Sequence, residues 1–228
     1  MRKRFLTVLA ISGLFALVVG LVPASASSAI RPSAHRVGRS GAWHTDLTIL
    51  KNRVGNPGVY SILSQDFTDA GFDIYDSYLA DDFAVPASLT LGWKVQGMRA
   101  VGIFFNGAGP CDSVSVNFYK DASGLPGAQT GTTQTGAGSP SGTHTLVFPT
   151  AQKLAKGATY WASMWCTMAY AAGGEWGWSD RIDQDGNAAK WENPGGGFGT
   201  CPTWTDMDTC VGIAGEPDLQ YALAGGAV

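Results

Sequence analysis

The sequence predicts an all-β fold, an antiparallel β-sandwich of the jelly-roll-like type. Short segments of alternating apolar and polar residues are separated by turns rich in Gly and Pro. No segment combines helix caps with an apolar period of about 3.6 residues. Charged residues form only 14% of the 228-residue chain, which contains 31 glycines and 8 tryptophans. This composition excludes a disordered chain and a coiled coil.

The first 56 residues differ from the rest and divide into two parts. Residues 1–26 have the pattern of a secretory signal peptide, with three basic residues, an apolar run and an A-x-A cleavage motif at 24–26. Residues 27–56 are polar and end in the turn-like sequence GNPG, which is typical of a leader or linker. We therefore expect a secreted, extracellular protein with a single domain over 57–228 and no membrane span in the mature chain.

The predicted leader and the predicted domain carry net charges of opposite sign. Residues 27–56 contain five basic residues and one acidic residue, whereas residues 57–228 contain seven basic and seventeen acidic residues, a net charge of −10. A nucleic-acid-binding domain needs a basic surface, so nucleic acid is excluded as a partner.

The predicted strands follow one another through the domain. Ser113–Lys120 begins with strict alternation, as expected of a half-buried strand. In Thr159–Thr167, one face of the strand carries Trp161, Ser163 and Trp165, and the other carries the residues between them. Further strands are predicted over Trp93–Phe105, His144–Pro149 and Leu219–Leu223, with a turn at Asp121–Gly127 and an exposed loop at Thr130–Gly142.

Four cysteines follow the signal peptide: Cys111, Cys166, Cys201 and Cys210. An even number in an exported chain favours two disulfides. Cys201 and Cys210 bracket a segment whose Pro and Asp residues suit a turn or loop, so we pair them, which leaves Cys111 with Cys166. A four-thiolate zinc site is the alternative, but such a site usually has close C-x-x-C pairs, which are absent here.

The late tryptophans are candidate ligand-binding residues. Trp176 and Trp178 would share one face of a strand, and Trp191 and Trp204 follow in a Gly-rich stretch. An exposed platform of such rings could stack on a sugar, so the pattern suggests binding of polysaccharide or a cell-surface component. The alternative is that these rings pack in the core of the sandwich, where large aromatic residues are common.

Calcium is the candidate metal ion. Asp183, Asp185 and Asn187 place oxygen ligands at alternate positions beside a glycine, although the full EF-hand order is absent. The acidic pair Asp81-Asp82 is a weaker candidate. The alternative for both is a turn that needs no metal.

Catalytic signatures are scarce, and no catalytic residue is assigned. The sequence lacks the G-x-S-x-G and H-E-x-x-H motifs, and His144 is expected to be an exposed residue at the start of a strand. A small glycan hydrolase or lyase is an alternative function, with Glu175 or Glu192, each next to a tryptophan, as general acid or base.

Several segments resemble a family of secreted bacterial β-sandwich domains of uncharacterised function. They include ADDF within 75–86, FYKDASGLPG within 116–127, WENPGGGFG within 190–199 and the terminal PDLQYALAG, so the resemblance covers nearly all of the domain. It implies an extracellular, non-catalytic binding or adhesion module. The other two hypotheses are the glycan-active enzyme and a structural protein of the extracellular matrix without a discrete ligand.

Overall fold

The structure, a computed structural model, describes residues 47–213, 215 and 217–228. The predicted signal peptide and most of the predicted leader lie outside the described residues. The described part confirms the predicted fold class, because its antiparallel sheets pack against each other as an all-β sandwich. None of its helices is long and apolar enough to cross a membrane.

The described residues contain fifteen strands and two short α-helices. The strands are β1 (Thr48–Asn52), β2 (Pro57–Leu63), β3 (Gln65–Phe67), β4 (Tyr78–Ala84), β5 (Gly92–Ala100), β6 (Gly102–Phe105), β7 (Ser113–Asp121), β8 (Pro126–Gly136), β9 (His144–Ala155), β10 (Thr159–Met168), β11 (Glu175–Arg181), β12 (Lys190–Glu192), β13 (Thr205–Asp206), β14 (Asp218–Leu219) and β15 (Tyr221–Ala227). The helices are α1 (Tyr170–Gly173) and α2 (Met207–Val211).

Three sheets form the sandwich. The largest has seven strands in the order β13-β12-β4-β10-β7-β8, with β3 parallel to β10. A four-stranded sheet has the order β1-β15-β5-β9, and another is formed by β14-β11-β2 with β6 beside β11. Only Val101 separates β5 from β6 and only Gln220 separates β14 from β15, so the two four-stranded sheets are continuous.

Aromatic side chains join the sheets in a shared core. Phe83 of the seven-stranded sheet stacks on Trp93 of the opposite layer, with ring centroids 5.9 Å apart. Phe118 meets Phe148 edge-on at 5.9 Å. Their burial supplies the main stabilising contribution, since burying a large apolar side chain is worth about 1.5–3 kcal/mol.

The structure places the end of the predicted leader inside the sandwich. Strand β1 pairs with β15, and the Arg53 side chain that follows it is buried. Arg53 Nη1 lies 2.6 Å from Asp81 Oδ1 and 3.2 Å from Asp218 Oδ2. A buried guanidinium requires such partners, so the domain begins before residue 57.

The structure differs from two predictions, the exposed loop at Thr130–Gly142 and the exposure of His144. Strand β8 covers part of the segment predicted as an exposed loop, because its threonines pair with β7 at the edge of the sheet. His144 is buried rather than exposed, and its Nδ1 accepts a hydrogen bond from the Ser139 backbone N–H at 2.9 Å. Burial lowers the pKa of His144 to about 4, so the imidazole is neutral at neutral pH.

Both predicted disulfides are confirmed. Cys111 is bonded to Cys166 and Cys201 to Cys210, and no described cysteine is free. The first bond ties the segment before β7 to β10, whereas the second closes the loop between β12 and α2.

Candidate ligand-binding face

The seven-stranded sheet has one face against the core and an opposite face, here called the outer face. On β10, Ala162 and Met164 belong to the core. Because successive strand residues point to opposite sides, Trp161, Ser163 and Trp165 lie on the outer face. The neighbouring strands β12, β4, β7 and β8 contribute the rest of this face.

One row of side chains crosses the outer face from β12 to β8. Strand pairing places Glu192 opposite Tyr78, and Ser115 between Trp165 and Thr135. The rings of Tyr78 and Trp165 meet edge-on with centroids 5.3 Å apart, and Ser115 Oγ lies 2.9 Å from Thr135 Oγ1. The row therefore consists of two aromatic rings between a carboxyl group and a pair of hydroxyl groups.

Further polar side chains lie beside this row. Asn117, which is opposite Ser163, donates from Nδ2 to the Tyr119 hydroxyl at 3.2 Å. Gln129 Nε2 donates to Asn117 Oδ1 at 3.2 Å. Burial raises the pKa of Tyr119, so its hydroxyl keeps its proton at neutral pH. These groups provide hydrogen-bond donors and acceptors at fixed positions.

The loop between β12 and β13 passes across the outer face. The backbone N–H of Trp204 donates a hydrogen bond to the Glu192 carboxyl group. The Trp204 ring meets the Tyr119 ring edge-on, with centroids 5.9 Å apart. Because β4 and β10 lie between β12 and β7, Trp204 spans these two strands and forms one wall of the face.

Asn193 and a close glycine contact hold this loop in place. Asn193 Nδ2 donates to the backbone carbonyls of Ile74 and Asp76 at 2.8 and 2.7 Å, and its Oδ1 accepts from the Phe198 N–H at 3.0 Å. A Cβ atom at Gly195 would lie 2.5 Å from Ile74 Cα, so this approach requires glycine. The Gly-rich run is therefore a braced loop.

Three carboxyl groups form one end of the outer face, here called the acidic end: Asp66, Asp76 and Glu192. Burial raises the pKa of Glu192 to about 7 and, with the charges of nearby aspartates, raises the pKa of Asp76 to about 6. Asp66 of β3 is opposite Thr167 of β10, and its carboxyl group accepts a hydrogen bond from the Thr167 hydroxyl at 3.4 Å. Burial and the three carboxylates together raise the pKa of Tyr78.

Three of the four predicted platform tryptophans are core residues. Trp176, Trp178 and Trp191 are each 0% exposed. Their indole N–H groups donate to the backbone carbonyls of Gly142, Gln220 and Leu63. The exposed platform predicted from them is wrong, because β11 and β12 turn these side chains inward. Of these four tryptophans, only Trp204 lies on the outer face.

The predicted calcium ligands do not converge. Asp183 is paired with Arg181, Asp185 is paired with Lys51, and Asn187 donates to a buried aspartate of β4. Throughout residues 47–213, 215 and 217–228, no three His, Cys, Asp or Glu side chains are arranged to hold a metal ion. The loop oxygens instead bind side chains of the protein, so this prediction is corrected.

The two glutamates considered as catalytic residues lie in different sheets. Glu175 is on β11, where its carboxyl group accepts a hydrogen bond from Asn106 Nδ2. Burial raises its pKa. Glu192 is on β12 and lies on the outer face beside Tyr78. The structure therefore leaves Glu192, without Glu175, as the glutamate that faces a prospective ligand.

Sequence reasoning missed Tyr78, Trp165, Asn117 and Tyr119. The alternation of β10 could have identified Trp165, because it places this side chain on the face opposite the apolar residues of the same strand that belong to the core. Tyr78 carries no such signal, because its position beside Trp165, 87 positions later in the sequence, arises from the pairing of β4 with β10. No protein-family model, curated protein or solved structure significantly matches the chain, so the resemblance to secreted β-sandwich domains stays a prediction.

Proposed function

We propose that the protein is a secreted, non-catalytic module that binds a polysaccharide through the outer face. The observation that supports this most directly is the row from Glu192 to Thr135, in which two adjacent aromatic rings lie between hydrogen-bonding groups. A sugar ring has apolar C–H faces and a rim of hydroxyl groups, and both complement this row. Two disulfides are consistent with an extracellular location, since they persist in oxidising compartments.

The preformed arrangement of the face favours binding. Tyr78 is packed on Trp165, and the Trp204 loop is held by Asn193 and the Cys201–Cys210 disulfide. Side chains fixed before association lose less conformational entropy when a ligand binds. A polysaccharide chain could therefore lie along the face without reorganising the sheet.

Retention on insoluble polysaccharides tests the proposal. The mature protein, Trp165→Ala and Tyr78→Ala would be compared on a panel that includes cellulose and chitin, with the fold of each variant checked by thermal unfolding. Loss of a central aromatic contact should weaken binding by about tenfold or more. Phe105→Ala is the matched control, since this partly exposed aromatic residue lies on β6 in another sheet.

The proposal predicts that both outer-face variants lose retention while Phe105→Ala keeps it. Folded Trp165→Ala and Tyr78→Ala proteins that still bind as well as the parent would contradict a role for this face. Retention of no polysaccharide on the panel would favour a structural role instead.

A glycan hydrolase or lyase is the second candidate, and Glu192 favours it. Burial holds the pKa of its carboxyl group at about 7, which suits a general acid at neutral pH, and Tyr78 lies opposite it. Release of soluble sugar from the same panel, lost in Glu192→Gln and kept in Glu175→Gln, would establish catalysis. Retention without release supports the binding module.

A further inference from the structure

Two pairs of half-buried aromatic rings lie on the outer face at different positions along its strands. In the first pair, the ring centroids of Tyr78 and Trp165 are 5.3 Å apart. In the second, those of Tyr119 and Trp204 are 5.9 Å apart. Trp165 is opposite Ser115 of β7, and Tyr119 lies four residues further along the same strand. Because a strand rises about 3.3 Å per residue, roughly 13 Å separates the two pairs along β7, so one sugar ring cannot contact both.

Hydrogen-bonding side chains occupy the interval between the two aromatic pairs. Asn117 lies midway between Ser115 and Tyr119 on β7, and its Nδ2 donates to the Tyr119 hydroxyl at 3.2 Å. On the edge strand β8, Gln129 and Thr133 are exposed. Gln129 Nε2 donates to Asn117 Oδ1 at 3.2 Å and to Thr133 Oγ1 at 3.4 Å. A polar chain that extends from one aromatic pair to the other would therefore meet amide and hydroxyl groups on its way.

The Trp204 loop confines the accessible part of the face to a strip along β7 and β8. The backbone N–H of Trp204 donates to Glu192 of β12, while its ring meets Tyr119 of β7. The loop thus crosses β4 and β10, where Ala80 and Ser163 point outward and are each 0% exposed. A ligand can reach the exposed residues of β8 but not these covered positions. A narrow strip of this kind suits an extended chain without branches.

A pocket of about 340 Å³ lies where this strip ends, at the end of β7 and the start of β10. Its lining includes Asp121 and Thr159. By alternation, these are the next outward positions after Tyr119 on β7 and Trp161 on β10. Asp121 lies beside Trp161 on the outer face, since its Oδ1 accepts the indole N–H at 2.9 Å. The strip therefore continues past the second aromatic pair, to a point roughly 20 Å from Trp165 along β10.

We infer that the outer face binds the interior of an extended, unbranched polysaccharide of the kind found in cellulose and chitin, with the chain running along β7 from the Tyr78–Trp165 pair to the pocket at Asp121. The inference rests on the proposed glycan-binding function and specifies its ligand class. Sugar faces pack on the two aromatic pairs, and sugar hydroxyl groups bond the amides between them. A terminal sugar needs only one aromatic platform, whereas a branched or coiled chain would meet the Trp204 loop.

Oligosaccharides of graded length test the inference directly. Isothermal titration calorimetry would measure the affinity of cello-oligosaccharides and chito-oligosaccharides from the disaccharide to the hexasaccharide. We expect the affinity in one series to rise about tenfold or more, because longer chains reach the second aromatic pair and the pocket. A hexasaccharide methylated at both chain ends should bind as tightly as the unmodified one. Maltohexaose, which has the same length but a coiled chain, should bind about tenfold more weakly.

Variants of the second aromatic pair show where the gain with length arises. Tyr119→Ala and Trp204→Ala should remove most of the dependence of affinity on chain length, whereas Tyr119→Phe, which keeps the ring, should retain it. Gln129→Ala should weaken binding of the hexasaccharide, and this exposed position on an edge strand keeps the test open if an aromatic variant fails to fold. Phe105→Ala is again the matched control, and thermal unfolding checks the fold of each variant.

The outcomes distinguish the inference from the proposed function. Equal affinity for all lengths, lost in Trp165→Ala, overturns the extended site and leaves glycan binding at one platform intact. Loss of binding on methylation of the chain ends, or maltohexaose that binds equally well, also overturns the inference. Binding of neither series overturns it, and the polysaccharide panel then decides the proposed function. Folded Trp204→Ala and Gln129→Ala proteins that keep the length dependence of the parent would likewise contradict it.

Discussion

The two groups of tryptophans in this molecule differ in what surrounds them. Trp176 and Trp178 are enclosed between sheets, and each indole N–H donates to a backbone carbonyl. Trp165 and Trp204 lie on the outer face, partly exposed and beside carboxyl, amide and hydroxyl groups. The same residue type therefore stabilises the fold at one place and forms a candidate binding surface at another.

Strand geometry, rather than local sequence, produces this difference. The W-x-W pair of β11 points to the core, while the W-x-x-x-W pair of β10, Trp161 and Trp165, points outward. The presence of Gly and Asp near an aromatic residue in the sequence therefore does not predict whether its ring is exposed. Its role depends on the side of the sheet to which it points and on what covers that side, since Trp161 points outward but is 0% exposed beneath Lys190.

The largest expected loss of stability follows the replacement of a core tryptophan. Trp178→Ala should lower the free energy of unfolding by about 3–5 kcal/mol, because it leaves a large cavity in the core and removes the indole hydrogen bond to the Gln220 carbonyl. Trp165→Ala should cost clearly less, since its ring is only half-buried. Urea denaturation of both variants measures the difference, and equal losses would contradict the comparison.

The Arg53 cluster provides a second contrast, between a buried cation and a partly exposed one. Arg53→Met should destabilise the protein by about 3 kcal/mol, because it leaves the buried Asp81 and Asp218 without their counter-charge. Lys51→Met removes a pairing with the exposed Asp185 and should cost less than about 1 kcal/mol. Chemical denaturation at pH 7 tests both, and similar costs would show that Arg53 is not a structural anchor.

The short disulfide should matter for the outer face more than for the core. Replacing Cys201 and Cys210 by Ala should cost about 2–3 kcal/mol or less, as expected for a short closed loop. Because this loop contains Trp204, polysaccharide retention should fall more than the loss of stability alone explains. Unchanged retention in the folded double variant would show that Trp204 does not form a wall of the site.

The smallest effect is a pH dependence of stability. Burial raises the pKa of Glu192 to about 7 and that of Asp76 to about 6, so the folded chain binds more protons than the unfolded chain between their ordinary pKa values and these raised ones. The contribution of these two groups to stability should therefore fall as pH rises from about 4.5 to 7, whereas the lowered pKa of His144 acts in the opposite direction between about 4 and 6.5. Glu192→Gln should flatten the upper part of this curve relative to the parent protein. Thermal unfolding at several pH values measures both slopes.

Much of the fold was predictable because its signals are local. Alternation in Ser113–Lys120 and Thr159–Thr167 identified β7 and β10, and the short turn-like segment between Cys201 and Cys210 suggested the pairing that the structure confirms. The end of the leader was misassigned, because Arg53 resembles a linker residue until Asp81 and Asp218 are placed around it. The calcium prediction was wrong for a related reason. The sequence does not show which cations pair with Asp183 and Asp185 in the folded chain.

The sequence by itself determined the all-β class and the alternation that divides β10 into two faces, because each depends on residues close in the chain or on residue type. Only the tertiary structure decided which aromatic side chains are exposed. Tyr78, Trp165 and Glu192 come from three strands, and their proximity depends on strand order and register. Hydrogen bonding between distant segments sets that order, and no local pattern encodes it.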